Sequence, residues 1–343
     1  MPDAEVIPIG EPRRSPSKTA RAAGATGPKP RRTAQPPIVS ATAPAIDVDV
    51  AAAADEHESI DVQPSGWEER LASALAFLRR RATGDYDVDE FGFDAEFTDN
   101  VIAPLLRPMY RTWWRVDTFG LENIPSDGAA LVVANHSGTV AWDAAMTQLA
   151  IFDEHPNHRH LRMLGADFVF KMPFLGEVAR KTGNTLACVA DAERLLQQGN
   201  VVGVWPEGFK GIGKPFSERY RLQRFGRGGF VAAALRAKAP IIPTAIVGAE
   251  EIHPMLANSK FLARLTGVPY FPITPTFPWF GPLGMVPLPT KWTIVFGEPI
   301  YTDGFPEGSA DDPMLLFNLT DQVRESIQRM LLAQLTLRKS TFR

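Results

Sequence analysis

The sequence predicts an α/β fold, a central and mostly parallel sheet flanked by helices and preceded by N-terminal amphipathic helices. Two observations carry this. Short apolar runs, "ALVVAN" (130–135), "LRMLGA" (161–166), "VVGVW" (201–205), "IIPTAIVG" (241–248) and "WTIVFG" (292–297), read as strands buried on both faces. Between them, "ADAERLLQQG" and "FGRGGFVAAALRAK" have helical periodicity, and strands alternating with helices make parallel crossover units. With 343 residues, 45% hydrophobic and 22% charged, the chain is long enough for a substantial core.

In chain order, residues 1–65 are rich in Ala, Pro, Ser and Thr, with seven basic residues from Arg13 to Arg32 and an acidic stretch from Asp47 to Asp61. Such a segment buries too little to offset its chain entropy and is expected to be a disordered tail, solvated or docked on acidic lipid or a partner. Residues 66–115 are expected to form N-terminal helices, and residues 116–343 the main domain. The first helix runs from Trp67 to about Arg81. The second runs from about Thr98 to Arg115 and is kinked at Pro104 and Pro108. Arg107, Arg111 and Arg115 form a stripe beside Tyr110, Trp113 and Trp114, which suits either the membrane interface or a helix packed on the core. The proline- and aromatic-rich stretch 265–289 reads as a long ordered connection, and a last amphipathic helix spans about Asp312 to Leu337.

Several functions are argued against. A net charge of −3 gives no support for nucleic-acid binding, and the single cysteine, Cys188, allows neither an internal disulfide nor a CxxC site. No uncharged run approaches a membrane span and no signal-peptide pattern opens the chain, so a cytoplasmic protein peripheral to the inner face of a membrane is expected. "GFKGIGKP" has the spacing of a nucleotide-binding phosphate loop. Pro215 after its Lys214, however, offers neither the hydroxyl that holds magnesium nor a backbone N–H. No G-x-S-x-G marks a serine hydrolase. His155, His158 and His160 lie in a polar segment without cysteine partners and are expected to be solvated, leaving no metal site.

In α/β sheets functional groups gather at the carboxyl ends of strands. Two such ends stand out, "HSGTVAWD" (136–143) and "PEGFKGIGK" (206–214). His136 with Asp143 can make a general base and its orienting acid. On a continuous helix their seven-residue separation is roughly 10 Å, so they meet only across a loop, for which Gly138 is suited. Lys210, Lys214, Arg219, Arg221, Arg224 and Arg227 form a cationic cluster suited to phosphate.

"NHSGTVAWD", "WPEGFKG" and "APIIPTAIVG", in this order, resemble blocks of the glycerolipid acyltransferases of the lysophosphatidic acid acyltransferase type, over roughly residues 115–300. The resemblance implies His136 as general base and Asp143 as its orienting acid, with Glu207 and Gly208 in the acceptor site. Lys210, Lys214, Arg224 and Arg227 would be further substrate contacts. It also implies a lipid acceptor, a membrane surface, acyl-CoA or acyl carrier protein as cosubstrate, and no other cofactor. The chain departs from the pattern in three places. Six residues, rather than the family's four, separate His136 from Asp143. The third block reads Glu207-Gly208-Phe209-Lys210 instead of Glu-Gly-Thr-Arg. "FKMPFLGEVARKTG" (170–183) resembles the second block, yet the phosphate-holding arginine expected after it has no counterpart in "NTLACVADA". These departures place the chain nearer a branch similar to mono- and diacylglycerol acyltransferases, and a non-catalytic lipid-binding protein is the alternative from another class.

Overall fold

Strand 130–134 shows most directly how sequence becomes structure, since all five of its residues are buried. The computed structural model describes residues 66–137 and 140–342, with side chains from residue 71 onward. The expected tail and Gly138 lie outside the described residues. The strands are β1 (Asp117–Phe119), β2 (Ala130–Ala134), β3 (Leu161–Gly165), β4 (Thr185–Leu186), β5 (Val201–Val204), β6 (Ile241–Val247), β7 (Ala257–Asn258), β8 (Pro272–Ile273) and β9 (Thr293–Phe296). Seven of them form one sheet in the order β1-β9-β6-β2-β5-β3-β4, and β7 and β8 pair separately.

The expected α/β class is what the chain adopts. β6, β2, β5, β3 and β4 are mutually parallel, whereas β9 pairs antiparallel with β6 and carries β1 parallel to itself, so one edge of the sheet runs in reverse. The principal helices are α1 (Gly66–Thr83), α2 (Trp142–Glu154), α3 (Val189–Gln197), α4 (Gly229–Ala237) and α5 (Pro313–Leu337).

Two apolar layers sandwich the sheet. On one face Ala130, Val132 and Ala134 pack with Met146, Leu149 and Ile151 of α2 and with Trp114 and Trp292. On the other, Leu131 and Val133 meet Leu195 of α3, Val231 and Leu235 of α4, and Val323, Ile327 and Leu331 of α5. Each fully buried aliphatic side chain contributes about 1.5–3 kcal/mol of transfer free energy. Double-sided burial explains why these strands read as continuous apolar runs.

The kinked helix behaves as its prolines dictate, and its stripe is divided between core and surface. Turns Ala103–Pro108 are α-helical and are flanked by π-helical turns Thr98–Ile102 and Met109–Trp113. Pro104 and Pro108 cannot donate to the ladder, and adjacent N–H groups reach one residue further back, as Trp114 N does to Met109 O at 2.9 Å. Trp114 is fully buried and stacks on Trp292 at 4.6 Å. Buried Tyr110 donates to Glu154 Oε1 at 2.7 Å. Arg107 and Arg111 pair with Asp153, and Arg115 donates to the carbonyls of Trp113 and Pro289. The helix thus packs on the core through Tyr110 and Trp114, while Arg111 and Trp113 keep an exposed face. No helix among the described residues is long and apolar enough to cross a membrane.

Two of the three histidines expected to be solvated, His155 and His160, are tied into the fold. His155 is 2% exposed; its Nε2 donates to Ile124 O at 3.1 Å and its Nδ1 accepts from Asn157 N. His160 stacks on Phe152, and burial, aided by the charge of Arg162, pushes its pKa down to about 4. The expectation of solvation holds for His158, which is exposed, and fails for His155 and His160, because the segment 155–160 returns directly into β3. The described residues contain no cluster that could hold a metal ion.

Candidate active site

β2 and β5 are adjacent parallel strands, so the segments that leave their carboxyl ends lie side by side. Asn135 fastens the first of them. Fully buried, it donates through Nδ2 to Ile246 O at 3.0 Å and accepts from Ile246 N through Oδ1 at 2.8 Å, prolonging the pairing of β2 with β6 beyond the strand itself.

The next residue is His136. Its Nδ1 lies 2.8 Å from Asp143 Oδ2, and its side chain keeps 14% exposure while the carboxylate has none. The expected loop closure is therefore present. Asp143 sits in the first turn of α2, where a negative charge is favoured by the helix dipole. Its Oδ2 also accepts from Ser137 N at 2.9 Å, and its Oδ1 from Ala144 N at 2.9 Å. These bonds fix the carboxylate, the carboxylate fixes the ring, and Nε2 is left as the nitrogen able to take a proton.

Glu207 is placed differently from the expectation of an acceptor contact. Its side chain is fully buried; Oε1 accepts from His136 N at 2.9 Å and Oε2 from Gln223 N at 2.7 Å. It thus joins the two strand ends and the loop that follows. Lys214 lies behind it with a side chain 4% exposed. Its ammonium is 3.3 Å from Glu207 Oε2, 3.2 Å from Glu250 Oε2 and 3.1 Å from Arg221 O. Of these groups it donates hydrogen bonds to Arg221 O and, through Oε1 at 3.3 Å, to Glu250, so its charge is committed inside the protein. Burial raises the Glu250 carboxyl to about 7, with Lys214 pulling the other way.

Gly208 (φ +55°) turns the chain into the short helix Phe209–Ile212. A Cβ on Gly211 would stand 2.8 Å from the Cβ atoms of both Glu207 and His136, so only glycine lets this turn approach the histidine. The stretch that mimics a phosphate loop is thus a packing element with a buried lysine. Lys210, Arg224 and Arg227 are exposed and have no ion pair among the described residues; Arg219 covers the ring of Phe216 and Arg221 pairs with Glu218.

Tyr270 is the neighbour that sequence reasoning passed over. Its ring would be 3.9 Å from a Cβ on Gly213, and burial, together with the charge of Asp143, raises its phenol pKa. It comes from the proline-rich connection, and no local pattern marks a tyrosine there as part of a site.

The family model described as Acyltransferase matches residues 115–247, the span that contains both strand ends. An uncharacterized protein of Mycobacterium tuberculosis is 55% identical over 89% of this chain and 85% of its own length, and one of Mycobacterium leprae is 54% identical over 84% and 82%. The chain belongs to the acyltransferase family. Further off, this acyltransferase is 28% identical, over 56% of its length and 54% of the relative's, to a chicken (Gallus gallus) protein named "DGAT1/2-independent enzyme synthesizing storage lipids". Among solved structures it is similar to the 1-acyl-sn-glycerophosphate (LPA) acyltransferase PlsC from Thermotoga maritima. That likeness has 18% identity and a TM-score of 0.45, covering 79% of this acyltransferase and 90% of that chain.

Proposed function

We propose that the protein transfers a fatty acyl group from a thioester, acyl-CoA or acyl carrier protein, to a hydroxyl of a glycerolipid. The observation that carries this reading is the His136 Nδ1 to Asp143 Oδ2 contact of 2.8 Å, with the imidazole still open to solvent. Nε2 takes the proton of the acceptor hydroxyl as its oxygen bonds to the thioester carbonyl carbon. The first N–H groups after Gly208 stabilise the oxyanion. As the carbon–sulfur bond breaks, the imidazolium returns the proton to the departing thiolate. A thiol of pKa about 8.5 leaves readily, so the reaction asks for no cofactor beyond the thioester. Lys210, Arg224 and Arg227 are assigned to substrate phosphate, while Glu207 and Lys214 hold the site together.

A neutral acceptor, a mono- or diacylglycerol, is favoured by two observations. No arginine lies within residues 184–192, where the family holds phosphate, and the ammonium of Lys214 is committed internally. The storage-lipid name of the chicken relative agrees with this choice. Membrane contact, on the inner face, is assigned to the segment between residues 256 and 286, where Phe261, Leu265, Trp279, Phe280 and Leu283 are largely exposed.

The test is transfer by the purified full chain from labelled acyl-CoA to lysophosphatidate, other lysophospholipids, monoacylglycerol and diacylglycerol, with His136→Ala alongside. Neutral-lipid product that falls by about 10²–10⁴-fold in the variant supports the reading. Product formed equally by both proteins would remove His136 as base, and lipid binding without product by either would favour the non-catalytic alternative.

A further inference from the structure

Next to the loop that Glu207 anchors through Gln223 lies a cavity of about 230 Å³ between that loop and the N-terminal half of α5. Three guanidinium groups line it: Arg224 and Arg227 from the loop and Arg324 from α5. Arg224 and Arg227 have no acidic partner among the described residues. Both Arg324 Nε and Nη2 donate to Asp321 Oδ1, at 3.0 and 2.8 Å, which orients that guanidinium and leaves the cavity a net charge of +2. Two of its three cations have no carboxylate beside them, so the cavity favours an anion.

Two further features point the same way. Thr320, also in the lining, is only 9% exposed, and its hydroxyl has no hydrogen-bond partner, an uncommon state for a buried polar atom. In addition, α4 begins at the cavity wall with Gly228 as its N-cap (φ +78°) and no side chain capping it, so its first N–H groups carry the positive end of the helix dipole there. Phe317, 59% exposed, adds an aromatic face at the rim.

We propose that this cavity holds the phosphate-bearing nucleotide end of a coenzyme A thioester. Several guanidinium groups suit a ligand with more than one phosphate, and Phe317 offers a surface on which a base can stack. The assignment rests on the acyl-transfer reading above. It adds Arg324, Thr320 and Phe317 to the site and separates the donor's phosphates from a neutral acceptor.

The experiment measures binding of adenosine 3′,5′-bisphosphate, and separately of glycerol 3-phosphate, to the full chain and to Arg227→Gln, Arg324→Gln and their double variant. Arg329→Gln, an exposed arginine outside the cavity, is the control, and circular dichroism checks each fold. The bisphosphate should bind the parent, and each cavity substitution should weaken it by about tenfold or more, the equivalent of one charge-assisted hydrogen bond. In the acyl-transfer assay the KM for acyl-CoA should rise by a similar factor, with kcat and the KM for the acceptor little changed. Because binding is read without turnover, it tests the cavity even if acyl transfer fails. Absence of bisphosphate binding, or binding unaltered in the folded double variant, overturns the proposal. So does tighter binding of glycerol 3-phosphate with the same dependence on Arg227 and Arg324, which would give the cavity to a lipid headgroup.

Discussion

Lys214 and Arg224 stand ten residues apart in the same connection, and the fold treats their charges in opposite ways. Lys214 is withdrawn from water and shared between Glu207 and Glu250, so its charge is spent on holding the site together. Arg224 projects into an open cavity with no acidic partner, so its charge is available to a ligand. The distinction follows from what surrounds each cation. A buried ammonium must be matched by acceptors at close range, whereas an exposed guanidinium is supported by solvent until a phosphate replaces it.

The comparison is broken most forcefully at Lys214. Lys214→Met keeps much of the side-chain volume but leaves the buried carboxylates of Glu207 and Glu250 without their shared cation. Removing one partner of a buried ion pair costs about 3–5 kcal/mol, and a loss in this range is expected from the urea midpoint. Transfer activity should fall as well, since Glu207 bonds directly to the backbone of His136. A variant as stable as the parent would mean that the buried cluster contributes little to folding.

How much of this could be read from the sequence follows from the range of the interactions. β2, β5 and β6 were legible because burial on both faces demands unbroken apolar runs. The pairing of His136 with Asp143 was legible because they leave one strand and close one short loop. The burial of Lys214 was not, since it depends on Glu250, 36 residues further on. The role of Glu207 as a clamp was not legible either, because it needs partners at positions 136 and 223 that no local pattern joins. The reversed edge formed by β9 and β1 was hidden for the same reason, because an apolar run does not encode the direction of its neighbour.

A smaller effect, of defined sign, belongs to Glu250. Burial raises its folded pKa to about 7 from the ordinary 4.5, so between these values the folded protein binds more protons than the unfolded chain. Its stabilising contribution is full below about pH 4.5 and is lost as pH rises through 7, a change of a few kcal/mol. Glu250→Gln retains an acceptor for Tyr220 N and removes the titration. Stability measured from pH 4.5 to 8 should decline in the parent and be flatter in the variant. Parallel curves would show that Lys214 keeps Glu250 ionised throughout, making the cluster a plain ion pair.

The smallest effect is expected at Arg224, which makes it the sharpest counterpart of Lys214. With no partner to abandon and no core to disturb, Arg224→Gln should change the unfolding free energy by less than about 0.5 kcal/mol. The same substitution should raise the KM for acyl-CoA, and the difference from the parent should shrink with added salt because an exposed cation is screened. One residue would then govern donor capture while contributing almost nothing to the fold, the reverse of its neighbour ten positions earlier. Should Arg224→Gln instead lower the urea midpoint as Lys214→Met does, its guanidinium would have a structural partner, and the division of this connection into a folding cation and a binding cation would fail.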